Sequence, residues 1–594
     1  MIKKILSPIK GQLPFMAFFM VLMSFHTFDL VISQLTTPME DYSWLNVAGQ
    51  FAVTFLFGYL FAILLQTFPK KWLKITIYSI VVILFGITIY LYYNFGMAIS
   101  PQAFVLLAET NSNEAKEFAS MFLLNPRSLA TYATIVLVVA AIFISERYWK
   151  RHAVRQASRQ SLSIKSGIMA IATVLLLAFG LFGCTSFIRM MRCNSTDHFY
   201  RQQADDIVRP NDPFSQCLQS SYGIYLAGKE MKRAVEVTRN MAPSTSNLSC
   251  DSLDVVVIIG ESYSKWHSQL YGYKAATTPL LCKERDNGQL FLFNDAVSPY
   301  SLTSPAMKNL LCCNSIADDE PWSESPYFPA IFKSVGYDVF LWDNQKDIDP
   351  NQGYSFALNT FLYNKEMLDM AYTAINEISF PYDYSLVDDF NKTDWRKSKQ
   401  SLTIIHLMGQ HFAPEARYPQ VPQFSIFTAD SIQRDAPYLT RDKKQEIAHY
   451  DNATLYNDYV VKRILDLYRE RNAVVVYFSD HGEETYDYKD AIGRHYEGLD
   501  DNWLKYIHDI PFMIWCSEKY MASHVSTIED ITKATERPFA IDNICHLLFH
   551  LGEISTPYYI ADRDVLSDKF RKRKRIVEGR VDFKKGDYDK IRKK

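Results

Sequence analysis

Five long apolar segments before residue 192 constrain the fold of this chain more than any other feature. They cover roughly residues 14–34, 47–68, 73–96, 129–146 and 167–188. Each is close to the ~20 residues that a helix needs to cross the hydrocarbon core of a bilayer. The first segment is too long, and lacks a small-residue cleavage site, to be a removable signal peptide. The sequence therefore predicts a membrane domain of five helices in residues 1–190.

The distribution of lysine and arginine predicts the orientation of these helices, because cytoplasmic loops carry an excess of basic residues. Basic residues cluster before the first segment, between the second and third, and before the fifth: Lys3, Lys4, Lys10, Lys70, Lys71, Lys74, Arg147, Lys150, Arg151, Arg155 and Arg159. The loop 35–46 has none, and the loop 97–128 has only Lys116 and Arg127. We therefore expect both loops, and everything after residue 190, to lie outside the cytoplasm. Cysteines there would face an oxidising compartment, although the sequence does not fix their pairing.

Composition excludes one function class and helps to place the boundaries after the membrane domain. Lys and Arg number 63 against 65 Asp and Glu, so no global field favours nucleic acid. Residues 191–250 read as a connector with a bridging helix that begins at Asp212-Pro213. A polar linker, "MAPSTSNLSCDS", ends this connector. We expect a catalytic domain at 251–565 and a basic tail at 566–594.

A different pattern begins at residue 253. Short apolar runs at 253–262, 337–345, 401–411 and 472–482 alternate with longer, polar, helix-compatible stretches. Continuous apolar strands separated by helical segments are typical of a parallel sheet covered on both faces. The predicted fold is therefore an α/β/α sandwich with a mostly parallel sheet.

Each apolar run ends in polar groups, and ligands of open α/β sheets bind at the carboxyl ends of the strands. Glu261, Asp480 and His481 supply two carboxylates and one imidazole, a ligand set suited to zinc. Taken alone, Glu261 is also explained as an acid stabilised at a helix N-terminus. Asp480-His481 alone is also explained as a turn with a satisfied histidine. Their joint occurrence at strand ends favours a metal site.

Four motifs in order carry a family resemblance: "GESYSKWHSQLYGYKAATTP" (260–279), "HLMGQHFAPEARYP" (406–419), "YDNATLYNDYVV" (450–461) and "SDHGEE" (479–484). With the five spans before them, they resemble the bacterial lipid A and lipopolysaccharide-core phosphoethanolamine transferases of the alkaline phosphatase and sulfatase superfamily. The resemblance implies the fold of that superfamily, a Zn²⁺ cofactor and a zinc-bound threonine nucleophile. The corresponding segment is "SPYSLTSPAMKNLLCC" (298–313).

In that segment Thr303 is the expected nucleophile, since metal coordination activates a hydroxyl. The expected metal ligands are then Glu261, Thr303, Asp480 and His481, and Ser301 and Ser304 remain alternative nucleophiles. The lipid A enzymes carry a cysteine-flanked threonine run that is absent here. The Pro-Tyr before Ser301 is closer to relatives that modify the inner core.

The resemblance also assigns substrate-binding residues. His411 and His495 match histidines near the donor phosphate. Thr110 and Glu114, in "ETNSNEAKEF" (109–118), match residues of the donor headgroup site, where a carboxylate can pair with the ethanolamine ammonium. The alternative for that segment is a solvated amphipathic helix on the membrane surface. Asp343, Asn344, His406 and His267 receive no direct catalytic role.

The function that the resemblance implies is transfer of phosphoethanolamine from phosphatidylethanolamine, through a covalent threonine intermediate, to lipid A or lipopolysaccharide core. We expect a multi-pass protein of the bacterial inner membrane, monomeric, with its catalytic domain in the periplasm. Two alternatives stay open: a glycerol-phosphate transferase of the lipoteichoic acid synthase type, and an inactive membrane scaffold or sensor. The run "KFRKRKR" (569–575) is either a solvated basic face or a contact with anionic lipid or lipopolysaccharide phosphates.

Overall fold

The chain divides into two compact units: the first comprises Met1–Ala227 and Asp349–Phe356, and the second comprises Gly228–Ile348 and Ala357–Lys594. The computed structural model describes residues 2–36, 43–95, 98–101, 104, 126–156, 164–248, 252–318, 321–346, 353–411, 413–494, 504–578 and 585–592.

All regular secondary structure in the described residues of the first unit is helical. Its principal helices are Ile2–Gly11, Leu13–Met23, Phe25–Thr36, Trp44–Thr67, Lys71–Phe95, Pro126–Gln156, Ile164–Met190, Thr196–Asp205 and, continuing past the unit boundary, Pro213–Arg239. Four of them are long and apolar enough to cross a membrane: Trp44–Thr67, Lys71–Asn94, Pro126–Arg151 and Ser166–Met190. A fifth candidate arises if Ile2–Gly11 and Leu13–Met23, which are bent by 73°, count as one broken span. The four correspond to the second to fifth predicted segments.

The first predicted segment, 14–34, is not one continuous helix. Leu13–Met23 and Phe25–Thr36 meet at Ser24, and Pro14 lies in the first turn of Leu13–Met23. A proline in that position begins a helix readily, because its missing N–H would have no partner there. The apolar length of this segment predicted a helical span but did not reveal the interruption at Ser24.

Large apolar side chains cover the outer faces of the long helices. Leu137 is 70% exposed and Leu175 is 64% exposed. A face of this kind is costly in water and favourable against lipid.

The second unit is built on a sheet with seven strands in its described residues: β1 Leu253–Gly260, β2 Leu290–Phe293, β3 Asp338–Asp343, β4 Ala374–Ile375, β5 Gln400–His406, β6 Ala473–Ser479 and β7 Phe512–Cys516. The strand order is β2-β7-β6-β1-β5-β3-β4. Neighbours from β6 to β4 are parallel, whereas β7 is antiparallel to both β6 and β2. The predicted, mostly parallel sheet is confirmed.

Strand β1 shows why both faces of the sheet are covered. Val255, Val257 and Ile259 belong to the apolar core on one face, whereas Val256 and Ile258 belong to the core on the other. Successive side chains of a strand point to opposite faces, so an uninterrupted apolar run requires helices on both sides. Phe328–Ser334 and Ile544–Leu551 contribute to the first core, and Asp383–Asn391 and Arg441–Tyr468 to the second.

Further helices and short strand pairs complete the unit. The remaining α-helices are Pro279–Asp286, Thr303–Leu311, Gly353–Leu362, Lys365–Ala371, Leu504–His508, Glu518–Ser523, Val525–Ala534 and Tyr588–Ile591. Single 3₁₀ turns lie at Lys265–His267, Gln269–Tyr271, Trp322–Glu324, Asp394–Lys397, Pro414–Ala416, Ala429–Ser431 and Ile541–Asn543. The short pairs are Thr245–Ser246 with Ile554–Ser555, Ala296–Val297 with Phe539–Ala540, Glu484–Thr485 with Ile492–Gly493, and Ile576–Glu578 with Lys585–Asp587.

Candidate metal centre and nucleophile

The two central strands bring the predicted acidic residues together. β1 and β6 pair in parallel, with Gly260 opposite Ser479 at their carboxyl ends. Glu261 and Asp480 are the next residues of the two strands, and the Asp480 N–H donates to the Gly260 carbonyl at 3.0 Å. Glu261, Asp480 and the adjacent His481 are all fully buried.

One oxygen of Glu261, one oxygen of Asp480 and a ring nitrogen of His481 lie within 4.8 Å of one another. His481 Nε2 is 3.2 Å from Glu261 Oε1 and 3.2 Å from Asp480 Oδ2. His481 Nδ1 is 2.9 Å from the Gly482 carbonyl oxygen, so Nδ1 carries the proton and donates it. The Nε2 lone pair therefore faces the two carboxylates, and we call these three residues the triad.

The electrostatics of the triad favour a bound cation. Asp480 Oδ2 is buried and has no hydrogen-bond partner among the described residues. Burial and the negative charge of Glu261 raise the pKa of Asp480 well above its usual range. Burial and the positive charge of Arg494 lower the pKa of His481, which keeps the imidazole neutral. A neutral imidazole is the form that binds metal ions, and with two carboxylates it makes a donor set that fits Zn²⁺.

Thr303 is the first residue of the helix Thr303–Leu311 and lies on the rim of the triad. Its Oγ1 donates to Glu261 Oε2 at 3.0 Å and is 3.4 Å from His481 Nε2. The Ser262 hydroxyl also reaches Glu261, at 2.6 Å from Oε1, but Ser262 is fully buried, whereas Thr303 is half-buried. The Thr303 hydroxyl thus combines contact with the triad and access from outside.

Gln345 orients Glu261, a role that the sequence analysis missed. Its Nε2 donates to Glu261 Oε2 at 2.9 Å and to the Leu407 carbonyl at 2.8 Å. The sequence feature that could have identified Gln345 is its position, two residues after the carboxylate that ends β3. A buried ligand held by a second hydrogen bond keeps its geometry before any metal arrives.

Arg494 is the second residue that the sequence analysis missed. Its Nη1 is 2.6 Å from His481 Nε2 and its Nε is 3.3 Å from Glu483 Oε2. The guanidinium places a positive charge beside the triad, and binding of a metal at Nε2 requires this hydrogen bond to open. The sequence feature that could have identified Arg494 is its position directly before His495.

The family comparison agrees with this geometry. The protein family described as Sulfatase matches residues 254–551, which span the sheet and the whole triad. The chain belongs to the sulfatase family. The predicted superfamily and fold class are thereby confirmed.

Relatives of this sulfatase-family chain extend the similarity into the first unit. The phosphoethanolamine transferase EptC of Escherichia coli K12 is 25% identical over 559 residues, which cover 90% of each chain. The solved C-terminal periplasmic domain of E. coli EptC is 25% identical and covers 59% of this chain and 96% of that domain, with a TM-score of 0.50. The integral membrane lipooligosaccharide phosphoethanolamine transferase A of Neisseria meningitidis matches 93% of this chain and 97% of its own, with 15% identity and a TM-score of 0.51, a likeness of fold.

The segment after β5, which leads to His411, passes close to the Glu261 backbone of the sulfatase-family site. Asp383 accepts hydrogen bonds from two successive backbone N–H groups after β5, the second from Gly409 at 2.9 Å. Gly409 has φ of +50°, and a Cβ there would lie 2.8 Å from the Glu261 carbonyl oxygen. Glycine therefore lets this segment cross the Glu261 backbone. Burial lowers the pKa of the half-buried His411, and the charge of Glu261 opposes that shift.

The other polar residues singled out in the sequence support the site or lie apart from it. His406 is the buried last residue of β5, and its Nδ1 is 2.8 Å from Asp343 Oδ1. Asp343 also accepts the Gln345 N–H at 2.8 Å, so the pair holds the residue that orients Glu261. His267 belongs to a separate buried cluster with Asp451 and Asp487.

Three predicted substrate-binding residues, Thr110, Glu114 and His495, lie outside the described residues. Their assignments therefore remain predictions.

Proposed function

We propose that the chain is a zinc-dependent integral membrane enzyme that transfers phosphoethanolamine from phosphatidylethanolamine to lipid A or lipopolysaccharide core. The observation that carries the proposal is the half-buried Thr303 hydroxyl in contact with a buried triad of two carboxylates and one imidazole. Similarity to EptC over nine-tenths of the chain supports phosphoethanolamine as the transferred group.

In this proposal Glu261, Asp480 and His481 hold the zinc ion next to Thr303. When bound, Zn²⁺ activates the Thr303 hydroxyl and neutralises charge on the transferred phosphoryl group. The orphaned oxygen of Asp480 gains a partner, which removes the cost of leaving a buried acceptor unsatisfied.

The first half of the reaction forms a covalent enzyme. Thr303 loses its proton, and Oγ1 attacks the phosphorus of phosphatidylethanolamine. An Oγ1–phosphorus bond forms, and the bond from phosphorus to the diacylglycerol oxygen breaks. The diacylglycerol oxygen leaves with the electron pair and takes up a proton. In this proposal the Arg494 guanidinium, which lies 2.6 Å from His481 Nε2, and the His411 imidazole bind the phosphoryl oxygens, as a guanidinium commonly does.

The second half returns the enzyme to its starting state. A hydroxyl of the acceptor, which gives up its proton, or a phosphate oxygen of the acceptor attacks the same phosphorus. The bond from phosphorus to Oγ1 breaks, and Oγ1 leaves with the electron pair and takes up a proton. Two half-reactions on one threonine allow donor and acceptor to use the same site in turn.

We also propose that the protein lies in the bacterial inner membrane with the second unit in the periplasm, and that it works as a monomer. The long apolar helices and the basic residues on one side of them support this placement. A membrane anchor suits the chemistry because donor and acceptor are both lipids.

Purified full-length protein incubated with phosphatidylethanolamine and no acceptor tests the proposal. We expect release of diacylglycerol, one phosphoethanolamine group on the peptide that contains Thr303, and about one zinc per chain, as a single three-ligand site predicts. Lipopolysaccharide from cells with the gene should carry phosphoethanolamine that is missing without it. A glycerol-phosphate adduct instead, or no adduct with unchanged lipopolysaccharide, would reject the proposal in favour of the two alternatives.

A further inference from the structure

A pocket rich in basic residues lies in the second unit, next to the segment that follows the helix Thr303–Leu311. Residues 315–317 form one wall, and the chain from 571 to 576 forms another. The charged side chains of the lining are Arg563, Arg571, Arg573, Lys574, Arg575 and Asp542. Five cations therefore surround one carboxylate, and we call this site the basic pocket.

Two of the cations are already neutralised. Arg563 makes a double hydrogen bond with Asp318, 2.7 Å for each contact. Arg575 is buried and pairs with Asp295 at 2.7 Å and with Asp589. These two residues are therefore part of the pocket's framework.

The other three cations carry unmatched charge. Arg571, Arg573 and Lys574 are exposed. Arg571 and Lys574 make no ion pair within the described residues, and Arg573 is 3.9 Å from Asp318, which Arg563 already engages. The lining carboxylate, Asp542, accepts hydrogen bonds from the Ser315 hydroxyl and the Ile316 N–H at 2.7 and 2.9 Å, and it makes no ion pair with these three cations. Clustered like charges of this kind attract anions.

The basic pocket is connected to the nucleophile. Ile576, which follows the basic run directly, packs with Tyr300, Ala306 and Ile316. Two residues later the Glu578 N–H donates to the Pro299 carbonyl at 3.0 Å. Thr303 begins the nine-residue helix Thr303–Leu311, whose length is ~13 Å, and the pocket wall at 315–317 follows its other end. A ligand that reaches both sites must therefore be larger than one sugar.

We propose that the basic pocket binds phosphate groups of an anionic membrane glycolipid, the acceptor, and holds it while another of its groups is presented to Thr303. This inference rests on the proposed function. It assigns the pocket to the acceptor because phosphatidylethanolamine has a zwitterionic headgroup with no net charge, whereas a lipopolysaccharide carries several separated anions. Several exposed cations with no protein partner match a polyanion better than a neutral headgroup.

The test compares the two half-reactions in full-length protein. The test variant replaces Arg571, Arg573 and Lys574 with Gln, and the matched control replaces the exposed Lys365, Lys392 and Lys399 with Gln. We expect the test variant to release diacylglycerol from phosphatidylethanolamine within about twofold of the wild-type rate. Its KM for purified lipopolysaccharide should rise about tenfold or more, since each basic residue near an anionic surface contributes appreciably to binding. The control variant should match wild type in both measurements.

Salt and vesicles sharpen the test. The lipopolysaccharide KM of wild type should rise with ionic strength, and the test variant should lose much of that dependence. Equal loss in both half-reactions, or an unchanged lipopolysaccharide KM, would overturn the inference. A variant that binds phosphatidylglycerol vesicles more weakly but keeps the wild-type KM would show a membrane contact instead, which also overturns it.

Failure of the proposed function would be seen separately, as a wild-type protein that releases no diacylglycerol. Direct binding of purified lipopolysaccharide to wild type, test variant and control then still tests whether the basic pocket binds the glycolipid phosphates. A wild-type affinity retained by the test variant would reject it.

Discussion

Two buried histidines of the second unit each lie between two carboxylates, and their states are opposite. His481 lies 3.2 Å from one oxygen of Glu261 and 3.2 Å from one oxygen of Asp480. His267 lies 2.6 Å from Asp451 Oδ1 and 3.2 Å from Asp487 Oδ2. Burial and Arg494 lower the pKa of His481. Burial opposes the charge on His267, but Asp487 and Asp451 raise its pKa to about 10.

The difference comes from what each ring nitrogen contacts. Both nitrogens of His267 face carboxylates, so the protonated ring donates to each of them. His481 uses Nδ1 to donate to the Gly482 carbonyl and turns only Nε2 toward both carboxylates. Residue types alone do not distinguish an ion-paired histidine from a metal ligand, whereas the partner of the second ring nitrogen does.

The neighbours complete the contrast. Arg434 pairs with Asp487, and the Tyr273 hydroxyl donates to Asp451 Oδ2 at 2.9 Å. The His267 cluster is therefore satisfied without a further ligand. The triad keeps one buried oxygen, Asp480 Oδ2, that lacks a hydrogen-bond partner among the described residues.

The largest expected effect is at the Thr303 hydroxyl, which contacts the triad. Thr303→Ala should lower phosphoethanolamine transfer by a factor of about 10³ or more, because no other group replaces the covalent step. Zinc content and the circular dichroism spectrum should stay close to wild type, since Thr303 is half-buried at a helix start.

Ser301→Ala and Ser304→Ala are the matched controls, because both serines lie within two residues of Thr303 and are buried. Both should retain activity within about tenfold, as expected for groups outside the covalent step. A Thr303→Ala enzyme with substantial activity would remove Thr303 as the nucleophile, and an inactive Ser301 or Ser304 variant would move the assignment there.

A pair of matched substitutions separates the two carboxylate sites. Asp480→Asn should lose most bound zinc, and in metal-free protein it should stabilise the fold, because it removes a repelling charge from Glu261. Asp451→Asn should retain zinc but destabilise the protein by about 3 kcal/mol, because it leaves His267 with one buried counter-charge fewer.

Zinc analysis and denaturation of both variants, with and without chelator, measure this difference. If both substitutions change zinc content and stability in the same direction, the distinction between the two sites is wrong.

A smaller effect is expected at the residue that supports the triad. Gln345→Leu keeps a similar size but removes both donated hydrogen bonds. Loss of such a supporting contact typically costs 10–100-fold in activity or metal affinity, so we expect a decrease of roughly that size. Steady-state rates and zinc titration would show it, with the exposed Gln420→Leu as a control. Wild-type values for Gln345→Leu would mean that Glu261 is held by other contacts.

Much of the second unit's fold was predictable because its central strands carry a double signal. β1, β3 and β6 lie within apolar runs identified in the sequence, β5 begins one residue before the run 401–411, and polar groups mark the carboxyl ends of all four. β7, Phe512–Cys516, was not identified, since a five-residue apolar run fits a buried helix equally well.

The site was only partly predictable for a related reason. Glu261, Asp480 and His481 follow strands that are adjacent in the sheet, so a rule about strand ends brings them together. Gln345 and Arg494 reach the triad from other segments, and their contacts depend on how those segments cross in three dimensions. The catalytic and binding roles of all these residues remain predictions for the experiments above.

The smallest expected effect on transfer activity accompanies a pH dependence of stability that belongs to the His267 cluster. The folded pKa of His267, about 10, exceeds its unfolded value of 6.5. Its stabilisation is therefore fully present below pH 6.5 and is lost as the pH rises toward 10. Burial opposes ionisation of Asp487, but His267 and Arg434 lower its pKa, so its stabilisation is present above its unfolded pKa of 3.8 and is lost as the pH falls.

Hydrogen exchange of backbone amides in the helix Arg441–Tyr468, which carries Asp451, measures this contribution in full-length protein. The difference in protection between wild type and His267→Gln should be largest between about pH 4 and 6.5, in line with the linkage of stability to proton binding. It should shrink steadily toward pH 10. Because His267→Gln leaves the triad unchanged, titration of the zinc site is common to both proteins and cancels in the difference. A difference that grows from pH 6.5 to 10 would mean that His267 is neutral in the fold, and the contrast with His481 would fail.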